Sequence, residues 1–186
     1  MDKKIDFLVE IDKLKNVIRS SPLVDSSRRE NSAEHSWHLA MYALILADEA
    51  PEGVDINRVI RMLLIHDIVE IDAGDHPIYG STEPKDQQEK ELKAADRLFG
   101  LLPEELNQQL KTLWLEFEAG ETPDAAFAKS LDRFQPLIHN VKAGGGTWAE
   151  FGVSKEQATA RYEKTIPKGS STLWKKAKEL MASYFG

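Results

Sequence analysis

The chain has no cysteine among its 186 residues, which removes disulfide frameworks, thiolate zinc sites and thiol nucleophiles. Any metal must therefore be held by His, Asp and Glu. Basic charge is also short: Lys and Arg number 24 against 31 Asp and Glu, giving a net charge of −7 with His neutral. No overall basic surface is available to neutralise a phosphate backbone, so a nucleic-acid duplex or an anionic membrane is a disfavoured partner. Long apolar runs are missing as well. The longest stretch without a polar residue is Leu39 to Ala47, far short of the roughly 18 apolar residues of a membrane span. Near the start, Asp6, Glu10 and Asp12 interrupt what would have to be the apolar region of a signal peptide, so a cytoplasmic location is expected.

With 41% hydrophobic and 30% charged residues, the composition fits one soluble globular domain with a sizeable core. Its pattern is helical. Phe7, Leu8, Ile11, Leu14, Val17 and Ile18 follow helical spacing, which predicts an amphipathic helix over the first twenty residues. Asn31 followed by Glu34 resembles a capping box, starting a helix that runs to about Glu49 and carries His35, Trp37 and His38. Asp55 caps a third helix reaching about Ile71, and 72–83 reads as a functional-looking loop rich in acids, Gly and Pro. Proline at first-turn positions predicts helices near 84–99, 103–119 and 122–141, the last ended by the Gly144–Gly146 linker. Ser154 with Gln157 caps a further helix, and Leu173, Ala177, Leu180, Met181 and Tyr184 close the chain. No run shows strand alternation, so the expected class is all-α.

Chemistry concentrates in MLLIHDIVEIDAGD, 62–75, where His66, Asp67 and Glu70 lie among apolar residues. Burying three ionisable groups costs several kcal/mol unless they are paired or bound to a cation. On a helix the three share one sector and can converge on an ion. The plainer reading makes His66 a core histidine bonded to a carbonyl, with Asp67 paired to Arg61. AEHSWHLA adds His35 and His38, and spacing leaves open which of them binds. Imidazole with carboxylate suits Mn, Fe, Co, Ni or Zn rather than Ca or Mg. Asp132 sits in the apolar helical stretch AKSLDRFQPLIHN, where pairing with Arg133 or Lys129 is the ordinary expectation. Trp37 reads as core packing, and Trp114, Trp148 and Trp174 form no stacking platform.

The ordered set His35, His66–Asp67 and Asp132 resembles the HD-domain metal-dependent phosphohydrolases. RRENSAEHSWHLA followed by MLLIHDIVEIDAGD is similar to the branch containing the 5′-deoxynucleotidases, in a correspondence extending from about Ile11 to Asn140. The resemblance implies a single HD-type helical bundle over 1–186, with its metal-site core near 31–141 and C-terminal helices at about 153–184 packed on it. It implies one divalent transition metal on His35, His66, Asp67 and Asp132, with Glu70 holding or activating the attacking water and Asp75 helping on the substrate side. The expected reaction is hydrolysis of a (deoxy)nucleoside 5′-monophosphate by a metal-activated water, in a homodimer. Two alternatives are another HD-type activity, on a nucleoside triphosphate, cyclic nucleotide or alarmone, and a non-catalytic metal-bound nucleotide sensor.

One departure stands out. Relatives carry an Arg-Trp pair after the first helix, whereas here Arg19 is followed by Ser20, Ser21 and Pro22. Arg19 is expected to clamp phosphate through its guanidinium fork, but strict selection of 2′-deoxyribose is not implied. Arg28 and Arg29 read largely as loop charges and Lys85 is ambiguous. His76 and His139 match no ligand position of the family.

Overall fold

The computed structural model describes residues 1–75 and 84–186, apart from the side chains of Pro84 and Lys85. Helix α1 (Asp2–Ile11) is shorter than its apolar spacing predicts, passing into a 3-10 turn (Asp12–Asn16) and then strand β1 (Ile18–Pro22). Pro22 keeps only the end of this segment extended, because the residue preceding a proline is driven out of the helical region. Strand β1 pairs antiparallel with β2 (Arg29–Asn31), aligning Ile18 with Asn31 and Pro22 with Arg29. This ladder corrects the expectation of a chain without strands. Its inward residues are Arg19 and Glu30, both buried, so the strands bury charges instead of alternating apolar residues and carry no ordinary strand signal.

Helix α2 (Ser32–Ile45) begins at the expected capping box: Glu34 N–H donates to Asn31 Oδ1 at 2.9 Å, and Asn31 N–H donates to the Glu34 carboxylate at 3.1 Å. Its buried face holds His35, Ser36, Leu39, Ala40 and Ala43. Trp37 falls on the opposite side and is 63% exposed, which corrects its assignment to the core. The third helix is also interrupted. Helix α3 (Ile56–Ile65) stops before His66, and α4 (Glu70–Ala73) follows a turn closed by bonds of three-residue span, Ile68 N–H to Ile65 O and Glu70 N–H to Asp67 O. Trp114 Nε1 donates to the His66 carbonyl at 3.1 Å, taking an acceptor that a continuous helix would use internally. His66 and Asp67 therefore sit in a turn, not on one helical face.

Helices α5 (Pro84–Phe99), α6 (Glu104–Ala119), α7 (Pro123–Lys142), α9 (Lys155–Tyr162) and α11 (Ser171–Phe185) fall close to their predicted places, while the short α8 (Gly146–Glu150) and α10 (Ile166–Gly169) between them were not expected. Among the described residues no helix is long and apolar enough to cross a membrane. The result is an all-α bundle carrying one small ladder. Two apolar clusters hold it. Leu39, Met62, Leu63, Leu131, Leu137 and Trp148 belong to one, and Phe7, Ile68, Val69, Leu98, Phe99 and Trp114 to the other. Each fully buried Leu or Phe contributes about 1.5–3 kcal/mol of hydrophobic stabilisation. The His66–Asp67 turn leaves the first cluster at Leu63 and enters the second at Ile68, so both fix its position.

The triple glycine is a packed turn, not a slack linker. Its residues have φ of +69°, +120° and +47°, and a Cβ on Gly146 would meet Asn140 Oδ1 at 2.5 Å and Pro22 Cγ at 3.2 Å. That approach lets Asn140 Oδ1 accept both the Thr147 N–H and the Thr147 hydroxyl at 2.9 Å. Gly146→Ala should thus destabilise the protein by about 1–3 kcal/mol through left-handed strain and overpacking. Thermal melts should show a Tm lower by roughly 2–12 °C.

Candidate metal centre

Four side chains from three segments converge. His35 comes from α2, His66 and Asp67 from the interrupted turn, and Asp132 from the middle of α7, with His35 Nε2 3.0 Å from Asp132 Oδ1 and His66 Nε2 3.0 Å from Asp67 Oδ1. His66 Nε2 stands 3.7 Å from Asp132 Oδ1, and His35 Nε2 4.0 Å from Asp67 Oδ2. His66 Nδ1 faces the Leu63 carbonyl at 2.8 Å. A carbonyl only accepts, so Nδ1 carries the hydrogen and Nε2 is turned to the carboxylates. Buried Nε2 has no hydrogen-bond partner. His35, His66 and Asp132 each bring one ligand atom to within 4.8 Å of the others, and with Asp67 against His66 and one nitrogen orphaned the donor set is of a kind that fits a divalent transition cation. Spacing left His35 and His38 equivalent; the structure turns His35 toward this group and His38 elsewhere.

The other predicted residues surround this group. Burial works against charge on Arg19, but Asp67, Glu70 and Asp75 outweigh it and raise the guanidinium's already high pKa. Its Nη1 lies 2.9 Å from Asp67 Oδ2, 3.6 Å from Asp75 Oδ1 and 4.0 Å from Glu70 Oε1. Asp67 thus pairs with Arg19 rather than with Arg61. Glu70 Oε2 accepts from the Ser32 hydroxyl at 2.6 Å, and Asp75 Oδ2 from the Ser20 N–H at 3.3 Å. Burial and the neighbouring Asp67 charge push the Glu70 carboxyl well above its ordinary pKa. Burial, followed by the charge of Asp67 against the opposing pull of Arg19, also raises Asp75. A cavity of about 210 Å³ opens onto His66, Asp67, Glu70, Asp75, Asp132 and Arg19, with Arg133, Asn140, Thr147 and Phe151 farther out.

Sequence reasoning missed Glu30 and Ser32. Glu30 is 1% exposed and places Oε2 3.3 Å from His35 Nδ1, a position fixed by strand pairing that has no apolar signature. Arg28 and Arg29 lie on the surface, bound to Glu34 and Glu150 at 2.7 and 2.8 Å. His76 and most of the predicted 72–83 loop lie outside the described residues, as does the Lys85 side chain.

The free site is tuned to hold a proton. Burial lowers the pKa of His66, yet the adjacent Asp67 and Asp132 carboxylates prevail and push it up to about 10. Opposed by burial, His66 and Arg19 hold Asp67 down to about 2. A cation requires neutral imidazole, so binding near neutral pH expels the His66 proton while both aspartates are already ionised. The apparent affinity for Mn²⁺ or Co²⁺ should rise about tenfold per pH unit between roughly pH 6 and 8. Chelator competition at three pH values checks this; a flat profile would contradict a protonated His66.

Known proteins similar to this chain belong to one group. A solved structure from Magnetospirillum magnetotacticum MS-1, described as a predicted metal-dependent phosphohydrolase, is similar at 50% identity and a TM-score of 0.92, covering 98% of this chain and 91% of that one. A 5′-deoxynucleotidase of Pectobacterium atrosepticum is 30% identical over 86% of this chain and 81% of its own length. The bovine 5′-deoxynucleotidase is 29% identical over 72% of this chain, and the match spans 64% of that relative. Residues 11–174 match the family described as HD domain, and the chain belongs to that HD-domain family.

Proposed function

We propose that this protein is a metal-dependent phosphohydrolase that removes the 5′-phosphate of nucleoside and deoxynucleoside monophosphates. The observation that carries the reading is the convergence of His35, His66 and Asp132, with Asp67 against His66, beside a cavity that His66, Asp67, Glu70 and Asp132 line. The names of the Pectobacterium and bovine relatives support the substrate class. When bound, the cation supplies a Lewis acid for the phosphoryl group and lowers the pKa of coordinated water. Glu70 takes the proton of the attacking water: its raised pKa makes the carboxylate a stronger base, and Ser32 fixes one of its oxygens. Arg19 is held by Asp67, Glu70 and Asp75 before any ligand arrives, so its guanidinium meets phosphate in a fixed orientation. Asp75 positions Arg19 from the substrate side. The whole chain acts as one domain, with α9–α11 supporting α7 behind Asp132.

Phosphate release from a panel of ribo- and deoxyribonucleoside 5′-monophosphates with Mn²⁺ or Co²⁺ tests the activity. Release of pyrophosphate or triphosphate from longer substrates would replace the proposed substrate class, and no release from fully loaded protein would leave the nucleotide sensor. Glu70→Gln should lower kcat by about 10²–10⁴-fold while retaining the metal. Pairing of two copies belongs to the same reading. Helix α2 leaves Trp37, Met41, Leu44 and Ile45 exposed at 63%, 38%, 53% and 71%, one helical stripe for a second copy to cover. Light scattering should give twice the chain mass.

A further inference from the structure

A second group of ligand-type side chains is buried behind His35. Glu30 from β2, His38 from α2 and His139 from α7 each bring one ligand atom to within 4.8 Å of the others. Gln135 fills the centre. Its amide nitrogen lies 2.8 Å from Glu30 Oε1, 3.1 Å from His139 Nε2 and 3.3 Å from His38 Nδ1. His139 Nδ1 faces the Pro22 carbonyl at 3.1 Å, so Nδ1 carries the hydrogen and Nε2 offers a lone pair. Burial holds both His38 and His139 below the ordinary histidine pKa, which favours neutral imidazoles.

Hydrogen bonding leaves this group incompletely satisfied. An amide nitrogen has two hydrogens, and Glu30 Oε1, His139 Nε2 and, in its Nε2–H tautomer, His38 Nδ1 face it as acceptors. Gln135 is 0% exposed, and its Oε1 has no partner. The cluster therefore has too many lone pairs and a stranded oxygen, which costs about 1–3 kcal/mol for each unsatisfied buried group. A cation removes both faults: it takes the lone pairs of Glu30, His38 and His139, and a half-turn of the Gln135 amide directs Oε1 to the same point. Metal–ligand bonds of about 2.0–2.2 Å place tetrahedral ligand atoms about 3.3–3.6 Å apart, inside the 4.8 Å that bounds the ligand atoms of Glu30, His38 and His139. The His139 Nδ1–H bond to a backbone carbonyl is the kind of outer contact that orients ligating imidazoles.

We propose that Glu30, His38, Gln135 and His139 form a second metal site, distinct from the HD site, for a borderline transition cation such as Zn²⁺, Co²⁺ or Ni²⁺. The site ties the β1–β2 ladder to α2 and α7. His38 is partly exposed, and its ring lies 5.9 Å from that of Trp37. Glu30 serves both sites, since Oε1 faces the Gln135 centre while Oε2 faces His35 Nδ1. This inference does not depend on the substrate proposed above.

Equilibrium dialysis of the metal-stripped full chain against Zn²⁺, with metal and protein both quantified, tests it. The unmodified protein should hold two equivalents, His38→Ala and His139→Ala one each, and Asp132→Ala one. In the Asp132→Ala background Zn²⁺ should still raise Tm, and adding His38→Ala should abolish that rise. A single equivalent in the unmodified protein that survives His38→Ala would overturn the proposal, as would two equivalents retained by His38→Ala. One equivalent lost with His38→Ala but kept in Asp132→Ala would support this site and count against the HD assignment. His38 is partly exposed, so its variant remains decisive if His139→Ala fails to fold.

Discussion

Arg19 is a buried guanidinium within 4.0 Å of carboxylate oxygens from Glu30, Asp67, Glu70 and Asp75. Those four acids come from β2, from the broken turn, from the start of α4 and from the second residue beyond its end. Their burial is tolerable only because a positive charge reaches all of them, since removing one partner of a buried ionic group leaves a charge costing several kcal/mol. The ladder serves this pairing: antiparallel register puts Arg19 and Glu30 on the inward side of adjacent strands. The break in the third helix serves it as well. Were residues 55–71 one continuous helix, His66 and Asp67 would point about 100° apart, and the turn lets both face the Arg19–Asp132 centre.

One guanidinium does not balance the group, and the imbalance divides the acids by role. Asp67 and Asp132 have imidazoles beside them and stay ionised, Asp132 held well below its ordinary pKa against burial by Arg133, His35 and His66. Glu70 and Asp75 have only a share of Arg19 and stand next to Asp67, so theirs rise. Similar side chains thus differ in proton affinity according to which cation lies nearest, the difference that the proposed ligand and base roles require. His35 is set between two carboxylates, Glu30 at Nδ1 and Asp132 at Nε2. The first fixes the ring and strengthens its donor nitrogen for whatever lies at the second.

Much of this was legible in the sequence. Capping boxes, first-turn prolines and apolar spacing located α2 and α5–α7 to within a few residues, because those signals act locally. The ligand set was legible only as an ordered motif, since no single residue in it departs from an ordinary ion pair. What escaped has a common cause. Glu30, the burial of Arg19 among carboxylates and the β1–β2 ladder depend on charges that find one another across the fold, and Trp37 was misplaced because α2 buries its polar His35 and Ser36 face. Hydrophobic periodicity is blind to a core whose centre is ionic. Gln135 and His139 were invisible for the same reason: their partners are fixed by tertiary contact, not by spacing.

The acid excess takes on a different meaning once its location is known. A net charge of −7 argues against a polyanion-binding surface, but Glu30, Asp67, Glu70, Asp75 and Asp132 place part of that excess in and behind the cavity where a phosphate ester would enter. Arg19 and the His66 imidazole, which the neighbouring carboxylates hold charged, offset part of that excess. A divalent cation on the proposed ligands would add positive charge at the cavity floor, where Arg133 and Lys129 also line the cavity. Low basic content and a phosphate substrate are therefore compatible. The lack of cysteine fits the same requirement, because nitrogen and oxygen ligands alone favour a cation hard enough to bind phosphoryl oxygen while still being held by imidazole.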